Sequence, residues 1–280
     1  DPQALRGQVP MISTQEKVFN YAILTVVAVG VLFPVAWIIG VAVSPNPTGT
    51  LDLSSPHWGN FATAWAQADF TQYLKSSLII SGGVVAVSTV LAVMSGYAFG
   101  VLGVAGEKWL FPLLLVGLMV PMETIIVPLY YDFLAYGLTD TYKGIILAHT
   151  GLGVSFGAFW MRAAFRAVPP ALAESAEIDG ANSWTQLWRI HLPIAKPAVI
   201  TFVLLSFMWT WNDYFLSLIM VSDPGHQPMT LGLGAFSTRY AVQDNLLSAG
   251  AVLISVPIVV LYMFFQRQFI RGMLSGAVRE

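Results

Sequence analysis

The chain has 280 residues, of which 56% are hydrophobic and only 10% are charged. A water-soluble domain of this length cannot bury so much apolar surface, so the composition indicates an integral membrane protein. The formal net charge of −2 favours neither a nucleic-acid partner nor an acidic substrate, and the lack of cysteine excludes disulfides, iron–sulfur clusters and thiolate zinc sites.

Six stretches hold about 20 mostly apolar residues, the length that crosses a bilayer core. They are residues 21–43, 77–104, 109–131, 144–161, 198–221 and 249–269. We predict an all-α integral membrane protein with six transmembrane helices and a cytosolic helix pair between helices 4 and 5. Its expected parts are an N-terminal tail (1–16), a transmembrane domain (17–270) that contains a cytosolic loop (168–194), and a C-terminal tail (271–280). The first stretch is too long for the core of a secretory signal, so we expect it to be retained.

The distribution of Lys and Arg predicts the orientation. Ten of them fall on the side that holds both termini, the 105–108 turn and the 162–197 segment, and three fall on the other. The ten are Arg6, Lys17, Lys108, Arg162, Arg166, Arg189, Lys196, Arg267, Arg271 and Arg279; the three are Lys75, Lys143 and Arg239. Basic residues concentrate on the cytosolic side of membrane proteins, so both termini are predicted to be cytosolic and 44–76, 132–143 and 222–248 to be outer loops.

Two short helices at an angle are predicted within the cytosolic loop. Pro169-Pro170 can open the first helix and Gly180 ends it. Asn182 or Ser183 can cap the second, and Pro193 is expected to keep the residue before it out of helix. We expect Asp179 to bond backbone N–H groups at the bend.

The polar face of this loop carries acidic residues first, with Glu174 and Glu177 beside Arg189. One interpretation is an amphipathic loop that rests on lipid headgroups. Such helices favour Lys and Arg on the polar face, so the acidic face indicates a protein partner instead.

The loop residues resemble the "EAA loop" of bacterial ATP-binding-cassette (ABC) importer permeases, the element that docks in a cleft of the ATPase subunit. The residues that carry the resemblance are Glu174, Ala176, Asp179, Gly180, Ala181, Ile190, Leu192 and Pro193. Ser175 stands where the family usually has alanine, a small-for-small change.

Further segments resemble the carbohydrate-uptake permeases of the maltose type, in particular the smaller permease subunit. They are Ser76-Ser77-Leu78, Gly96-Tyr97-Ala98-Phe99, Pro128-Leu129-Tyr130, Trp211-Asn212-Asp213 and the stretch from Gln266 to Val278. After Phe99 the family commonly has a basic run, which this chain lacks. Gly272, Gly276 and Ala277 look like the family's tail that reaches between the ATPases, and 222–248 corresponds to an outer loop that can probe the binding protein or is a disordered connector.

The resemblance implies the partners and the energy source. They are a second permease subunit, a dimer of ATP-binding cassette ATPases that binds ATP and Mg, a sugar-binding protein outside the cell, and the lipid of the bacterial inner membrane. The chain itself needs no cofactor and no catalytic residue. The sequence agrees that ATP binds elsewhere. The segment most similar to a phosphate-binding loop, from Gly100 to Lys108, has Glu107 where such a loop has its lysine.

Ionisable residues inside a span cost roughly 2.5–3.5 kcal/mol on insertion scales, so Glu123 and Asp213 require a reason. Carboxylates and amides bind sugar hydroxyl groups and aromatic rings cover sugar C–H faces. The candidate translocation path is therefore Glu123, Trp209, Trp211, Asn212, Asp213 and Tyr214. The alternative is structural: Asn212 and Asp213 bond backbone at an interrupted helix, and Glu123 satisfies N–H groups at a proline kink.

Other patterns are less specific. The four histidines are scattered, so a metal site is not expected. Gly96-x3-Gly100 and Gly153-x3-Gly157 are small-residue spacings that favour close helix packing. A secondary transporter or channel would show internal repeats, a selectivity filter or a charge relay, and a membrane-embedded enzyme would show a nucleophile–base pair; the sequence shows none of these.

Overall fold

The computed structural model describes residues 13–237 and 242–277, with side chains described as far as Arg267. This part of the chain is almost entirely helical. In chain order the helices are α1 (Thr14–Ala42), α2 (Gly59–Gln67), α3 (Phe70–Tyr97), α4 (Glu107–Met119), α5 (Met122–Ala135), α6 (Tyr142–Arg166), α7 (Pro170–Ile178), α8 (Ser183–Gln186), α9 (Leu192–Ile194), α10 (Lys196–Trp211), α11 (Phe215–Met220), α12 (Met229–Gly232) and α13 (Asp244–Ala277). π-Helical turns at Ala98–Leu102 and Leu187–His191 continue α3 and α8.

Four of these helices, α1, α3, α6 and α13, are long and apolar enough to cross a membrane. They coincide with the first, second, fourth and sixth predicted spans. Two sharply bent helix pairs raise the number to as many as six if each pair is one span: α4 with α5, bent by 99°, and Ser183–Ile194 with α10, bent by 77°.

The third predicted span, 109–131, is not one continuous helix. It divides into α4 and α5 at Val120 and Pro121, where Val120 has an extended backbone (φ −83°, ψ 119°). A proline disfavours helical backbone in the residue before it and donates no N–H of its own, so α4 ends there and α5 starts in a new direction.

The chain divides into two compact units. The first comprises the residues up to Ala64 together with Phe236–Leu253, and the second comprises Trp65–Ala235 and the residues from Ile254 onward. The predicted cytosolic loop and every candidate path residue belong to the second unit.

Two buried asparagines fix the end of α1 in the first unit. Asn60 Nδ2 donates to the carbonyl oxygens of Ala42 and Ser44, both at 2.9 Å. Asn245 Nδ2 also donates to the Ser44 carbonyl, at 3.3 Å. Carbonyls at a helix end have no partner within the helix, so these amides supply the missing donors.

In the second unit α3 and α6 pack closely through glycine. A Cβ on Gly96 would overlap Met161 and lie 2.8 Å from its carbonyl carbon, and a Cβ on Gly157 would lie 3.0 Å from the Phe202 ring. The predicted packing role is confirmed for both. It is wrong for Gly153, because a Cβ there would meet nothing within 4 Å.

Candidate functional site

The first half of the predicted cytosolic loop is α7, which Gly180 closes. Pro170 stands in the first turn, as predicted. Gly180 has φ +80°, and its N–H donates to Glu177 O (3.0 Å) while Ala181 N–H donates to Ala176 O (2.8 Å). These two bonds form a Schellman C-cap, which needs left-handed backbone and therefore favours glycine.

The second half of the loop begins at a side-chain cap and continues through a π turn. Asn182 Oδ1 accepts a hydrogen bond from Thr185 N (2.9 Å), which confirms the predicted cap. The expectation for Pro193 was wrong, since Leu192 before it has helical backbone (φ −64°, ψ −46°). The wider hydrogen-bonding pattern of the π turn at Leu187–His191 accommodates a residue without an N–H, so the helix continues into α9.

The acidic residues of the loop lie on its surface. Glu174 and Asp179 are exposed, and neither carboxylate accepts a hydrogen bond from any residue that the structure describes. The prediction that Asp179 bonds N–H groups at the bend is wrong, because backbone carbonyls of α7 accept those bonds. Glu177 Oε1 is 3.5 Å from Gln186 Nε2. The carboxylates of Glu174 and Asp179 are thus free for a partner.

The other residues of the predicted coupling motif divide by exposure. Ser175 and Pro193 are exposed, and Ala176, Ala181, Ile190 and Leu192 are half-buried.

Buried residues anchor the loop to the membrane helices, and sequence reasoning missed two of them, Gln186 and His191. Gln186, Leu187 and His191 are at most 4% exposed. The His191 ring lies 5.2 Å from the ring of Tyr97, the last residue of α3, and 6.1 Å from that of Phe165 in α6. The signal in the sequence was a glutamine and a histidine on the apolar face of a short helix. It was not used because the resemblance to the EAA loop explained this segment already.

The predicted fifth span, 198–221, is interrupted where α10 ends at Trp211 and before α11 begins at Phe215. The carboxylate of Asp213 accepts hydrogen bonds from Ser217 N (2.9 Å), Ser217 Oγ (2.7 Å) and Leu216 N (3.3 Å). Asp213 therefore caps α11, and its side chain is only 10% exposed. This geometry favours the structural alternative for Asp213.

A cavity of about 320 Å³ lies among α3, α4, α5, α6 and α10. Two polar atoms in its lining, Ser88 Oγ and His149 Nε2, are buried and have no hydrogen-bond partner within the described part of the chain. His149 Nε2 is 3.6 Å from Asp213 Oδ2, which exceeds hydrogen-bond distance. Trp209 and Phe156 also line the cavity, with ring centroids 4.9 Å apart. Because buried polar atoms normally have partners, the cavity can receive a ligand with hydroxyl groups.

The other path candidates do not meet at this cavity. Trp211 is 2% exposed, and its Nε1 donates to Ile254 O of α13 at 3.0 Å, so it belongs to the core. Asn212 Nδ2 donates to a carbonyl in its own helix (2.8 Å). Tyr214 and Glu123 are exposed, and Glu123 lies in the first turn of α5.

Glu107, which sequence reasoning considered only as a mismatch to a phosphate-binding loop, binds two arginines of α6. Its Oε1 lies 2.6 Å from an Arg162 nitrogen and 2.8 Å from an Arg166 nitrogen. Arg162 Nε also donates to Phe99 O in the first π turn (2.9 Å), and its guanidinium stands 4.0 Å from the centroid of the Phe111 ring. Charge-assisted bonds and a cation–π contact thus join the 98–108 turn to the end of α6.

The predicted outer loop is hydrogen-bonded over residues 222–237, while 238–241 fall outside the described residues. Gly225 O accepts bonds from Gln72 Nε2 (2.6 Å) and Tyr142 Oη (3.0 Å). The Gly225 N–H, and secondarily His226, hold the pKa of Asp223 below its ordinary value. This stretch is therefore an ordered element rather than a disordered connector.

The predicted tail residues Gly272, Gly276 and Ala277 lie in the α13 backbone, beyond the last described side chain. Their contact with an ATPase stays a prediction.

Residues 88–275 match the model of a protein family described as the binding-protein-dependent transport system inner membrane component. The match covers more than half of the chain and includes the whole 168–194 loop. This chain belongs to that family.

Curated relatives of this permease match it along nearly its whole length. It is 29% identical over 269 residues to the diacetylchitobiose uptake system permease protein of Streptomyces coelicolor, and the alignment covers 93% of this chain and 88% of the relative. It is also 29% identical over 265 residues to the trehalose transport system permease protein of Mycobacterium tuberculosis, and that alignment covers 92% of this chain and 97% of the relative.

The fold of the permease also matches a solved structure. A chain from a bacterial ABC transporter involved in the import of the acidic polysaccharide alginate superimposes with a TM-score of 0.79, over 93% of this chain and 99% of that chain. The sequences are 20% identical, so this likeness concerns the fold alone.

Family membership defines what the permease does and what it leaves to other subunits. It is an inner-membrane component of an ABC importer, and it works with an ATPase and a substrate-binding protein. It is not an enzyme, since ATP hydrolysis belongs to the separate ATPase.

Proposed function

We propose that this permease carries a neutral di- or oligosaccharide across the inner membrane and that ATPase closure drives its alternating access through the 168–194 loop. The observation that carries the proposal is the exposed carboxylates of Glu174 and Asp179, which accept no hydrogen bond within the described chain, on a loop that Leu187 and His191 anchor to α3 and α6. A surface with free carboxylates and a buried anchor is suited to receive force from another protein.

The proposed topology has six spans, with α4–α5 as the third and α10–α11 as the fifth. Both termini and the coupling helix pair lie in the cytosol. The distribution of Lys and Arg supports this orientation. The corresponding parts are the tail 1–16, the permease domain 17–270 with the coupling loop 168–194, and the cytosolic tail 271–280.

The coupling contacts are assigned to the motif residues. Glu174 and Asp179 offer free carboxylates to the ATPase cleft, and Gly180 gives the turn that presents them. The other proposed contacts are Ser175, Ala176, Ala181, Ile190, Leu192 and Pro193. The tail residues Gly272, Gly276 and Ala277 are proposed to reach between the two ATPases.

The proposed sugar path passes the cavity beside Trp209. Ser88 Oγ and His149 Nε2, which have no hydrogen-bond partner within the described chain, can bond sugar hydroxyl groups, and the rings of Trp209 and Phe156 offer faces for sugar C–H groups. The described lining contains neither Lys nor Arg, which favours a neutral sugar over an acidic one. About 320 Å³ is at the small end of ligand pockets, roughly 300–1,000 Å³, so the cavity suits a single sugar ring.

Glu123 supports a second permease subunit as partner. Its carboxylate is exposed at the break between α4 and α5, within a predicted span. A charge in lipid at that depth costs roughly 2.5–3.5 kcal/mol. A second permease or a water-filled path at this surface would remove that cost. The chain is proposed to hold no cofactor, with ATP and Mg bound by the ATPase dimer.

The proposal is tested by purifying the chain with its co-purifying partners and measuring ATP hydrolysis with added binding protein. Trehalose, diacetylchitobiose and maltose are the neutral probes, and an alginate oligosaccharide is the acidic control. We expect at least one neutral sugar to raise ATP hydrolysis and the acidic control to have no effect. Downhill solute transport by the isolated chain, or stimulation by the acidic sugar alone, would contradict the proposal.

A further inference from the structure

Three aromatic rings from three elements meet where the coupling loop joins the membrane helices. Tyr97 ends α3, Phe165 stands near the end of α6, and His191 ends the second π turn. The ring centroids are 5.2 Å apart for Tyr97 and His191, 5.9 Å for Tyr97 and Phe165, and 6.1 Å for Phe165 and His191, all edge to face. Each residue is at most 4% exposed, so the loop is fixed on two membrane helices at once.

The Tyr97 hydroxyl adds a directional contact to this ring cluster. It donates to the carbonyl oxygen of Ser183, the first residue of α8, at 2.9 Å. The same carbonyl accepts from Leu187 N at the start of the π turn. The last side chain of α3 therefore bonds the first turn of the second loop helix.

Gln186 connects this cluster to the acidic face of α7. Its Nε2 lies 3.1 Å from Ala181 O and 3.5 Å from Glu177 Oε1, and its own carbonyl lies 3.3 Å from His191 Nδ1. Packed and hydrogen-bonded groups thus run without a gap from Glu177 to Tyr97.

The residue before Tyr97 ensures that α3 and α6 move together. Gly96 lies against the backbone of Met161 and Arg162, with no room for a Cβ between the two helices. Close-packed interiors transmit displacement rather than absorbing it, so a movement of Tyr97 displaces both helices.

We infer that Tyr97 is a positioning residue for energy coupling, whose hydroxyl and ring transmit movement of the coupling loop to the α3–α6 pair. The inference rests on the proposed function, since it requires the ATPase to grip α7. It goes beyond the docking motif, because Tyr97 is buried and lies far from that motif in sequence. Such transmission requires two discrete arrangements of the α3–α6 pair, which ATP should interconvert.

The test uses the complete complex with ATPase, partner permease and binding protein, in which the other subunits are made cysteine-free. The permease has no native cysteine, so a fluorophore on Val90→Cys, at an exposed position of α3, reports movement of that helix. The trigger is ATP with Mg. The variants are Tyr97→Phe, which keeps the ring and removes the hydroxyl, and the matched control Ser95→Ala, which removes a hydroxyl that bonds only within α3.

We expect Tyr97→Phe to shift the ATP-driven equilibrium reported at Val90→Cys by about fivefold, the effect of losing one hydrogen bond. ATPase co-purification should stay at the parent level, and Ser95→Ala should match the parent. A signal of parental size in Tyr97→Phe would overturn this inference and leave the proposed function standing. Loss of the ATPase from that variant would have the same meaning. Absence of any ATP-driven signal in the parent complex would overturn the proposed function with it.

Discussion

The coupling loop and the break at Asp213 both place acidic residues between short helices, but they use the acids in opposite ways. At the break, the Asp213 carboxylate accepts three hydrogen bonds from the first turn of α11. In the loop, backbone carbonyls close α7, so the carboxylates of Glu174 and Asp179 accept no bond within the described chain. An acid that is already bonded stabilises the fold, and an exposed, unbonded acid remains available to another protein.

The largest effect is expected from reversing one charge of the loop. We expect Asp179→Lys to abolish uptake while membrane insertion stays intact, because the side chain makes no internal bond whose loss could unfold the protein. Sugar uptake into cells and the amount of permease in the membrane fraction are the two measurements. Glu16→Lys, at another exposed acidic position, is the matched control and should transport normally.

A second variant separates the turn from the charge. Gly180→Pro keeps every carboxylate but cannot adopt φ +80°, since proline holds φ near about −65°. It should also abolish uptake with normal insertion. Unchanged transport in both variants would remove the docking role from the loop.

Two tryptophans on opposite faces of α10 test the proposed sugar path. Trp209→Ala should raise the KM for sugar about fivefold, since it loses an aromatic contact of about 1 kcal/mol at the cavity. Trp211→Phe should reduce thermal stability, because it loses the bond to Ile254 O, and should leave KM unchanged. Equal KM shifts in the two variants would show that Trp209 has no special contact with sugar. That result would count against the proposed sugar path.

The smallest expected effect concerns Asp213. Asp213→Ala should lower stability by roughly 0.5–2 kcal/mol, the usual worth of a helix cap, and Asp213→Asn should keep most of it. Thermal unfolding of the purified complex measures both, with Asn212→Ala as a control that loses one bond within its own helix. If both Asp213 variants keep parental stability and change the KM for sugar, Asp213 contacts sugar rather than capping α11.

Local chemistry explains what the sequence could predict. Gly180, Asn182 and the Pro169-Pro170 start act within one turn of chain, so their roles follow from residue type and spacing. The bend at Pro121 could have been predicted by the same rule, but hydropathy across 109–131 is continuous and concealed it. The π turn before Pro193 reversed a valid local rule, because such turns depend on the tertiary packing of Leu187 and His191.

Contacts between distant parts of the chain could not be predicted. Tyr97 meets His191 only because the loop packs against the end of α3, and Glu107 meets Arg162 only because the start of α4 lies beside α6. Trp209 and Trp211 stand two residues apart on one helix, and only the position of α13 determines which of them is buried. The same limit applies to the cavity, since Ser88 and His149 come from different helices.

The central claim is that a separate ATPase grips a loop exposed to the cytosol, and the permease's lack of cysteine allows a direct test. Ser175→Cys, at an exposed position on α7, is labelled with a membrane-impermeant maleimide in inside-out vesicles, with and without a cysteine-free ATPase. The account predicts rapid labelling without the ATPase and strong protection with it. Labelling only from the outer face, or labelling that the ATPase leaves unchanged, would contradict it.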